Sequence, residues 1–375
     1  MATHAGDVHA HRAIGSLTRV VDLSLSEEQE QLVEAFRVFF AKECPPTVVR
    51  NAEDAGGFDA DLWRAALALG GSLMGVAEEL GGGGAGLLDL ELAAERFGAA
   101  LAPVPLVDAW VTARLLGVCR DAGRPVLDRL GNDTPPVAVL ALHPARDGVA
   151  RLVPAGAVAT VVVGLDDDEL VAVECEPDAP ARAHDLGRAA IADRSLRAGT
   201  RTVLARGDDA RALHEHAVDQ WRVLMAGALV GLAGASLELG VEYAKQRQQF
   251  GVPIGSFQAL AHRLADVATA VEGAQLLARE AAWAADEGES DATALARMAF
   301  LFAARTAQDT SAAALHVHGG YGFTLEYDVQ LYLRRAKAWP LALGDPRRGT
   351  LQLADALFGS TGSTGSADQA DRVES

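Results

Sequence analysis

The apolar residues of this chain change their period twice. Ser26 precedes Glu27 and Glu28, and Leu32, Val33, Phe36, Phe39 and Phe40 then recur on one helical face. A serine cap, acids in the first turn and a single apolar face predict an amphipathic helix. Pro45 and Pro46 are expected to end it. Further helices are expected over Asp61–Leu69 and Leu88–Phe97, with the loop Gly81–Gly84 between them. From about Pro135 to Arg206 the pattern shortens. Val137–Leu142, Ala159–Val163, Leu170–Val173 and Thr200–Leu204 are short, rich in β-branched residues, and read as strands. From Asp208 the helical period returns in three long segments, His214–Phe250, Ser256–Glu287 and Asp291–His316, with a short one after His318. Their lengths predict a bundle of long helices. Small residues between Ala226 and Ala235 allow close helix contact.

This divides the chain into a disordered N-terminal tail (1–20), a helical region (21–125), a small β region (126–206), a C-terminal helical bundle (207–358) and a Gly/Ser/Thr tail (359–375). The fold class is α+β. A length of 375 residues suits two or three structural units.

The formal net charge is -18, which argues against a nucleic-acid binder because phosphate backbones demand clustered Lys and Arg. It leaves room for a small anionic ligand, because a few local arginines override the global sign. Cys44, Cys119 and Cys175 are far apart and fit neither a metal site nor a redox motif, so reduced thiols in a cytoplasmic protein are expected. The start of the chain carries no apolar signal segment, and no run of about 18 uninterrupted apolar residues predicts a membrane span.

Two motifs could carry chemistry. Arg247 ends a long helix just before Phe250, Gly251 and Pro253. Its fork of donors suits a phosphate or pyrophosphate, and equally the carbonyls of its own helix end. His316, Val317 and His318 lead into Gly319, Gly320, Tyr321 and Gly322. The glycines predict an open turn that lets backbone amides approach a ligand, or a plain helix cap. Two histidines at i, i+2 without nearby Cys or carboxylate ligands make a poor metal site, and no metal is expected.

Taken together these residues resemble the acyl-CoA dehydrogenase family. Tyr243–Gln258, containing Arg247, Phe250, Gly251, Phe257 and Gln258, is similar to one family signature. Val317–Asp328, followed by Tyr332–Ala336, is similar to a second. Glu79–Gly84, Glu95–Gly98, Pro103 and Pro105 fit the family's N-terminal helical domain. The resemblance implies a helical N-domain, a middle β domain and a C-terminal four-helix bundle. It also implies FAD-dependent α,β-desaturation of an acyl-CoA thioester, with an electron acceptor such as an electron-transfer flavoprotein. No nucleic acid or membrane is expected as a partner. Carried over residue by residue, Arg247 contacts the FAD pyrophosphate of a neighbouring subunit. Phe250, Gln258, His316 (where the family usually has Gln), Val317, His318, Gly319 and Gly320 border the same cofactor.

The sequence also departs from the family. The position of the usual catalytic Glu falls on Leu343, and the alternative position falls on Trp221. Neither side chain accepts a proton, so the base is unknown. The family's Thr-Glu-Pro…Gly-Ser-Asp segment of the middle domain reads Leu142–Gly148 here, and the Trp-x-Ile-Thr/Ser stretch that normally touches the flavin ring is not recognisable. The pattern resembles heteromeric acyl-CoA dehydrogenases of bacterial sterol side-chain breakdown, α2β2 assemblies with fewer flavins than chains. The resemblance implies the base-lacking subunit, acting on steroid side-chain CoA esters with a second such chain and FAD shared across the interface. Two alternatives stand beside it. One is a self-sufficient enzyme with a displaced carboxylate, Asp345 or Glu215. The other is a non-catalytic acyl-CoA-binding or scaffold protein of the same fold.

Overall fold

The computed structural model describes residues 21–132, 136–177 and 185–358; both expected tails lie outside them. Six helices open the chain: α1 (Glu27–Glu43), α2 (Pro46–Asp54), α3 (Ala60–Ala68), α4 (Leu87–Ala100), α5 (Leu106–Val118) and α6 (Arg120–Leu130). Ser26 caps α1 by accepting from the Gln29 amide while Gln29 Oε1 accepts from the Ser26 amide, a reciprocal capping box. The two prolines end α1, yet Pro46 also opens α2, where a missing N–H costs nothing. Helices α2, α5 and α6 are additional to the three expected. Helix α5 is mostly apolar and buried around nearly its whole circumference, so it lacks the one-faced period that reveals a surface helix.

Strands β1 (Ala138–Leu140), β3 (Val161–Asp166), β4 (Glu169–Glu174) and β6 (Arg201–Arg206) form a four-stranded sheet in the order β1-β3-β4-β6. The β1–β3 pair is parallel and the others antiparallel. A second, two-stranded sheet pairs β2 (Val149–Val153) with β5 (Ala192–Ser195) around a register shift. Both of its strands were missed, since their exposed and charged residues break any apolar run.

Strand β6 runs straight into α7 (Gly207–Gln246), a helix of 40 residues. It is followed by the hairpin β7 (Gln248–Gln249) and β8 (Val252–Pro253), then α8 (Gln258–Asp286), α9 (Ala292–His318), α10 (Val329–Ala338) and α11 (Pro346–Phe358). Helix α7 is long and apolar enough to cross a membrane, but 72% of its most apolar stretch is buried inside the protein. It is the core helix, flanked by α4, α8 and α9. The seam with α4 is very close. A Cβ on Gly98 would stand 1.8 Å from the Ala228 carbonyl, and one on Gly231 1.8 Å from the Glu95 carbonyl. Glycine is therefore required by space at both positions. From the end of α8, Asp286 accepts from the amides of Leu87 and Leu88 and caps α4.

Candidate functional site

Two places concentrate the candidate residues: the end of α7 with the end of α9, and a cleft where the helical, β and C-terminal regions meet.

At the first, α7 stops at Gln246 and Arg247 turns to extended backbone. The Arg247 carbonyl accepts from the Ile254 amide, which closes the β7–β8 hairpin. The two turn residues, Phe250 and Gly251, both have positive φ, at 53° and 81°. That is the backbone of a tight two-residue hairpin, and it is costly for a bulky residue such as Phe250. Phe250 is also 93% exposed, with its ring edge-on to Phe257 at 6.2 Å. The exposed Arg247 guanidinium lies 6.0 Å from the centre of the Tyr321 ring. Among the described residues no carboxylate pairs with it. Gln258 is exposed at the first position of α8.

The glycine turn begins later than the sequence suggests. Helix α9 continues through His318, so His316, Val317 and His318 are helical, and the glycines form a 3-10 turn, Gly319–Phe323, directly after it. Val317 is buried with Ala244, Ile254 and Leu264. His318 is buried as well; its Nδ1 donates to the Ala314 carbonyl at 2.8 Å, and its ring stacks on Tyr243 at 4.3 Å. These two side chains hold the ends of α7 and α9 together. His316, Gly319 and Gly320 face solvent, and nothing lies within 4 Å of a Cβ built on either glycine. The Gly319 amide is taken by the His316 carbonyl, so the unpaired Arg247 guanidinium and the exposed His316 are the donors here that fit an anionic, phosphate-bearing group.

The second place is a cleft with a cavity of about 120 Å³. Phe97, Val104, Met225, Ile191 and Trp339 give it apolar walls, and Glu53, Asp108, Asp185, Arg188 and Arg335 are its charged groups. Glu53 is held by Arg334 at 2.7 Å and Arg335 at 2.9 Å. Trp221 lines the cleft, fully buried, and its Nε1 donates to Asp108 Oδ1 at 2.9 Å. Burial pushes the Asp108 carboxyl up to about 6, against the opposing effect of the indole hydrogen bond. Leu343 is half-buried against the core beside the cleft residue Ala342. His143 Nε2 donates to the Ala342 carbonyl at 3.0 Å. The altered middle-domain segment is thus tied directly to the turn that carries the expected base position.

The displaced-carboxylate candidates lie elsewhere. Glu215 and Asp345 are exposed, Asp345 accepting from the Arg347 amide at 3.0 Å. Neither of the two lines the cleft. Asp108, which does, was missed because it sits in an apolar stretch of α5 with no motif around it.

The profile of the acyl-CoA dehydrogenase N-terminal domain matches residues 26–123, and that of the C-terminal domain residues 211–357. The chain belongs to the acyl-CoA dehydrogenase family. It is 33% identical to the acyl-CoA dehydrogenase IpdE2 of Mycolicibacterium smegmatis, over 89% of this chain and all of that one. Among solved structures it is similar to the steroid ACAD Tcur3481-Tcur3483, at 25% identity and a TM-score of 0.77 over 88% of this chain and 98% of that one. It also shares the fold of the ChsE4-ChsE5 complex of Mycobacterium tuberculosis, at a TM-score of 0.77 over 91% of this chain and all of that one. The family architecture is therefore the one observed, and the family's chemistry is oxidoreduction.

Proposed function

We propose that this chain is one subunit of a heteromeric, FAD-dependent acyl-CoA dehydrogenase that desaturates a CoA thioester, with steroid side-chain esters as the substrate class. In this reading it offers the pyrophosphate and adenosine contacts for a flavin seated mainly on a second, unlike subunit. That subunit supplies the catalytic base. Bound flavin supplies the hydride acceptor. This chain's part is to bind and orient: Arg247 holds the pyrophosphate, the side-chain-free Gly319 and Gly320 let the nucleotide approach the backbone closely, and His316 and Gln258 border the nucleotide half. Phe250, Val317 and His318 support that cradle, Phe250 from the hairpin tip and the other two from within the fold.

The observation that carries the reading is the contrast at Arg247. Its guanidinium is exposed, pairs with no carboxylate among the described residues and lies over Tyr321, and Phe250, Phe257, Tyr321, Phe323 and Leu325 are exposed on the hairpin and turn around it. A patch of that kind on a soluble fold marks an interface. The base positions support the other half of the reading. Trp221 and Leu343 accept no proton, and His143 bridges to Ala342 beside them. Two of the similar solved structures carry the names of two-component assemblies.

The test is purification of the chain alone and together with an acyl-CoA dehydrogenase-like chain that carries the missing Glu. Turnover of acyl-CoA with an artificial electron acceptor is expected only for the pair. Losing a general base costs about 10²–10⁴-fold, so turnover by this chain alone within tenfold of the pair overturns the reading.

A further inference from the structure

Arg247 is held by a ring and not by a carboxylate. Two residues earlier, on α7, Lys245 pairs with Glu242 at 2.6 Å. Arg247 has no such partner among the described residues, and its guanidinium lies over the Tyr321 ring, 6.0 Å from its centre. Tyr321 is half-exposed, yet its place is fixed from two sides. Its carbonyl accepts from the Thr324 amide at 3.0 Å and from the Thr324 hydroxyl at 2.9 Å. Gly322 sits so close to α9 that a Cβ there would stand 2.8 Å from the Leu315 carbonyl, which pins the turn to the helix end.

Behind Tyr321 the rings continue inward. Tyr327 follows at 5.6 Å, His318 lies 5.6 Å from Tyr327, and Tyr243 lies 4.3 Å from His318. Tyr243 belongs to α7 and His318 to α9. The row of rings therefore joins the ends of the two helices after which Arg247 and Tyr321 follow.

A cation over an aromatic face is attracted by the ring without giving up its donors. The N–H groups of a guanidinium lie in its own plane and stay available for a bidentate anion. A carboxylate in the same place would also fix the side chain, but it would take those donors and cancel the charge. A long arginine with neither partner loses rotamer freedom on binding, and that loss weakens affinity.

We propose that Tyr321 is the positioning residue of Arg247, ordering its guanidinium while leaving the charge uncompensated and the donor fork free for a pyrophosphate. Tyr327, His318 and Tyr243 support the ring from behind. Tyr321 acts through Arg247 and touches no reacting atom. The proposal rests on the half-site reading above.

The experiment is titration of the flavin-stripped mixed assembly with FAD, unaltered and with this chain carrying Arg247→Ala, Tyr321→Leu, Tyr321→Phe, or Arg247→Ala and Tyr321→Leu together. Tyr321→Leu is expected to weaken FAD binding about two- to fivefold, the range of an exposed contact between a cation and a ring. Tyr321→Phe keeps the ring face and is expected to bind as the unaltered assembly does. In the Arg247→Ala background, Tyr321→Leu should have no further effect, because a residue that acts through another is silent once that one is gone. A Tyr321→Leu loss that persists in that background, a Tyr321→Phe loss as large as that of Tyr321→Leu, or no loss on Tyr321→Leu overturns the positioning role alone. An assembly that binds no FAD, or that keeps its affinity on Arg247→Ala, overturns the half-site reading and the positioning role with it.

Discussion

The end of α7 and the junction cleft are built in opposite ways. At the α7 end Arg247 points outward with no carboxylate among the described residues, Gly319 and Gly320 leave open space where side chains would stand, and Phe250 stands exposed on a costly backbone. In the cleft most buried polar groups have partners inside the chain, the Asp185 Oδ2 being an exception. Glu53 has its arginines, Trp221 has Asp108, and His143 has Ala342. A surface that leaves donors unmet and a bulky residue strained is prepared for something outside the chain. An interior that meets its own needs holds its shape alone. The difference is what the proposed half-site reading rests on.

The largest expected effect is at the outward-facing end. In a mixed assembly, Arg247→Glu replaces a donor fork by a like charge against pyrophosphate and is expected to weaken flavin retention about 100-fold. Because Arg247 has no carboxylate partner, the melting temperature of the isolated chain should move by no more than about 1 °C. A large loss of stability instead would make Arg247 a structural residue and break the contrast.

Next comes the seam beneath the cleft. Gly98→Ala puts a Cβ against the Ala228 carbonyl and is expected to cost about 2–3 kcal/mol in urea unfolding, through backbone displacement between α4 and α7. Phe97 and Met225 on the cleft wall flank that contact. Acyl-CoA affinity should fall along with stability, whereas the Arg247 variant separates the two.

A smaller effect concerns Glu91, fully buried on α4 with both carboxylate oxygens unpartnered. Burial, then the neighbouring Glu95, hold its carboxyl well above the usual range, against Arg279 and Arg96. A group raised in the folded state stabilises fully at low pH, and that contribution is lost as pH rises through its folded value. Glu91→Gln should therefore be near neutral at pH 5 and increasingly stabilising toward alkaline pH, measured as urea midpoints across pH. A constant difference would show that Glu91 does not titrate in this way.

The smallest is His143→Ala. The contact is exposed, so stability should drop by only about 0.5–1 kcal/mol, while the cleft becomes more open to solvent. Acrylamide quenching of tryptophan fluorescence, with Trp221 and Trp339 on the cleft, reads that opening.

Much of this was legible in the sequence. The three-region order, the Ser26 cap, the long α7 and the small-residue seam follow from period, capping and side-chain size. Arg247 and the glycine turn follow from motif. What was not legible had physical causes. Helix α5 is buried on every side, so it shows no amphipathic period, and Asp108 hides within it. Strands β2 and β5 are short and partly charged. Helix α9 outruns its expected end because the His318 ring bonds back to Ala314 and stacks on Tyr243, contacts made across the fold. That His143 and Ala342, 199 positions apart, meet at the altered site is a fact of tertiary structure alone.

The central claim is that this chain offers half of a flavin site to a partner. It is tested most directly by the flavin-to-chain ratio, from visible absorbance after denaturation, in the isolated chain, in the mixed assembly, and in the assembly bearing Arg247→Ala on this chain only. The account predicts little flavin in the first, fewer flavins than chains in the second, and marked loss in the third. A full flavin on every isolated chain, or an Arg247→Ala assembly that keeps its flavin, would contradict it.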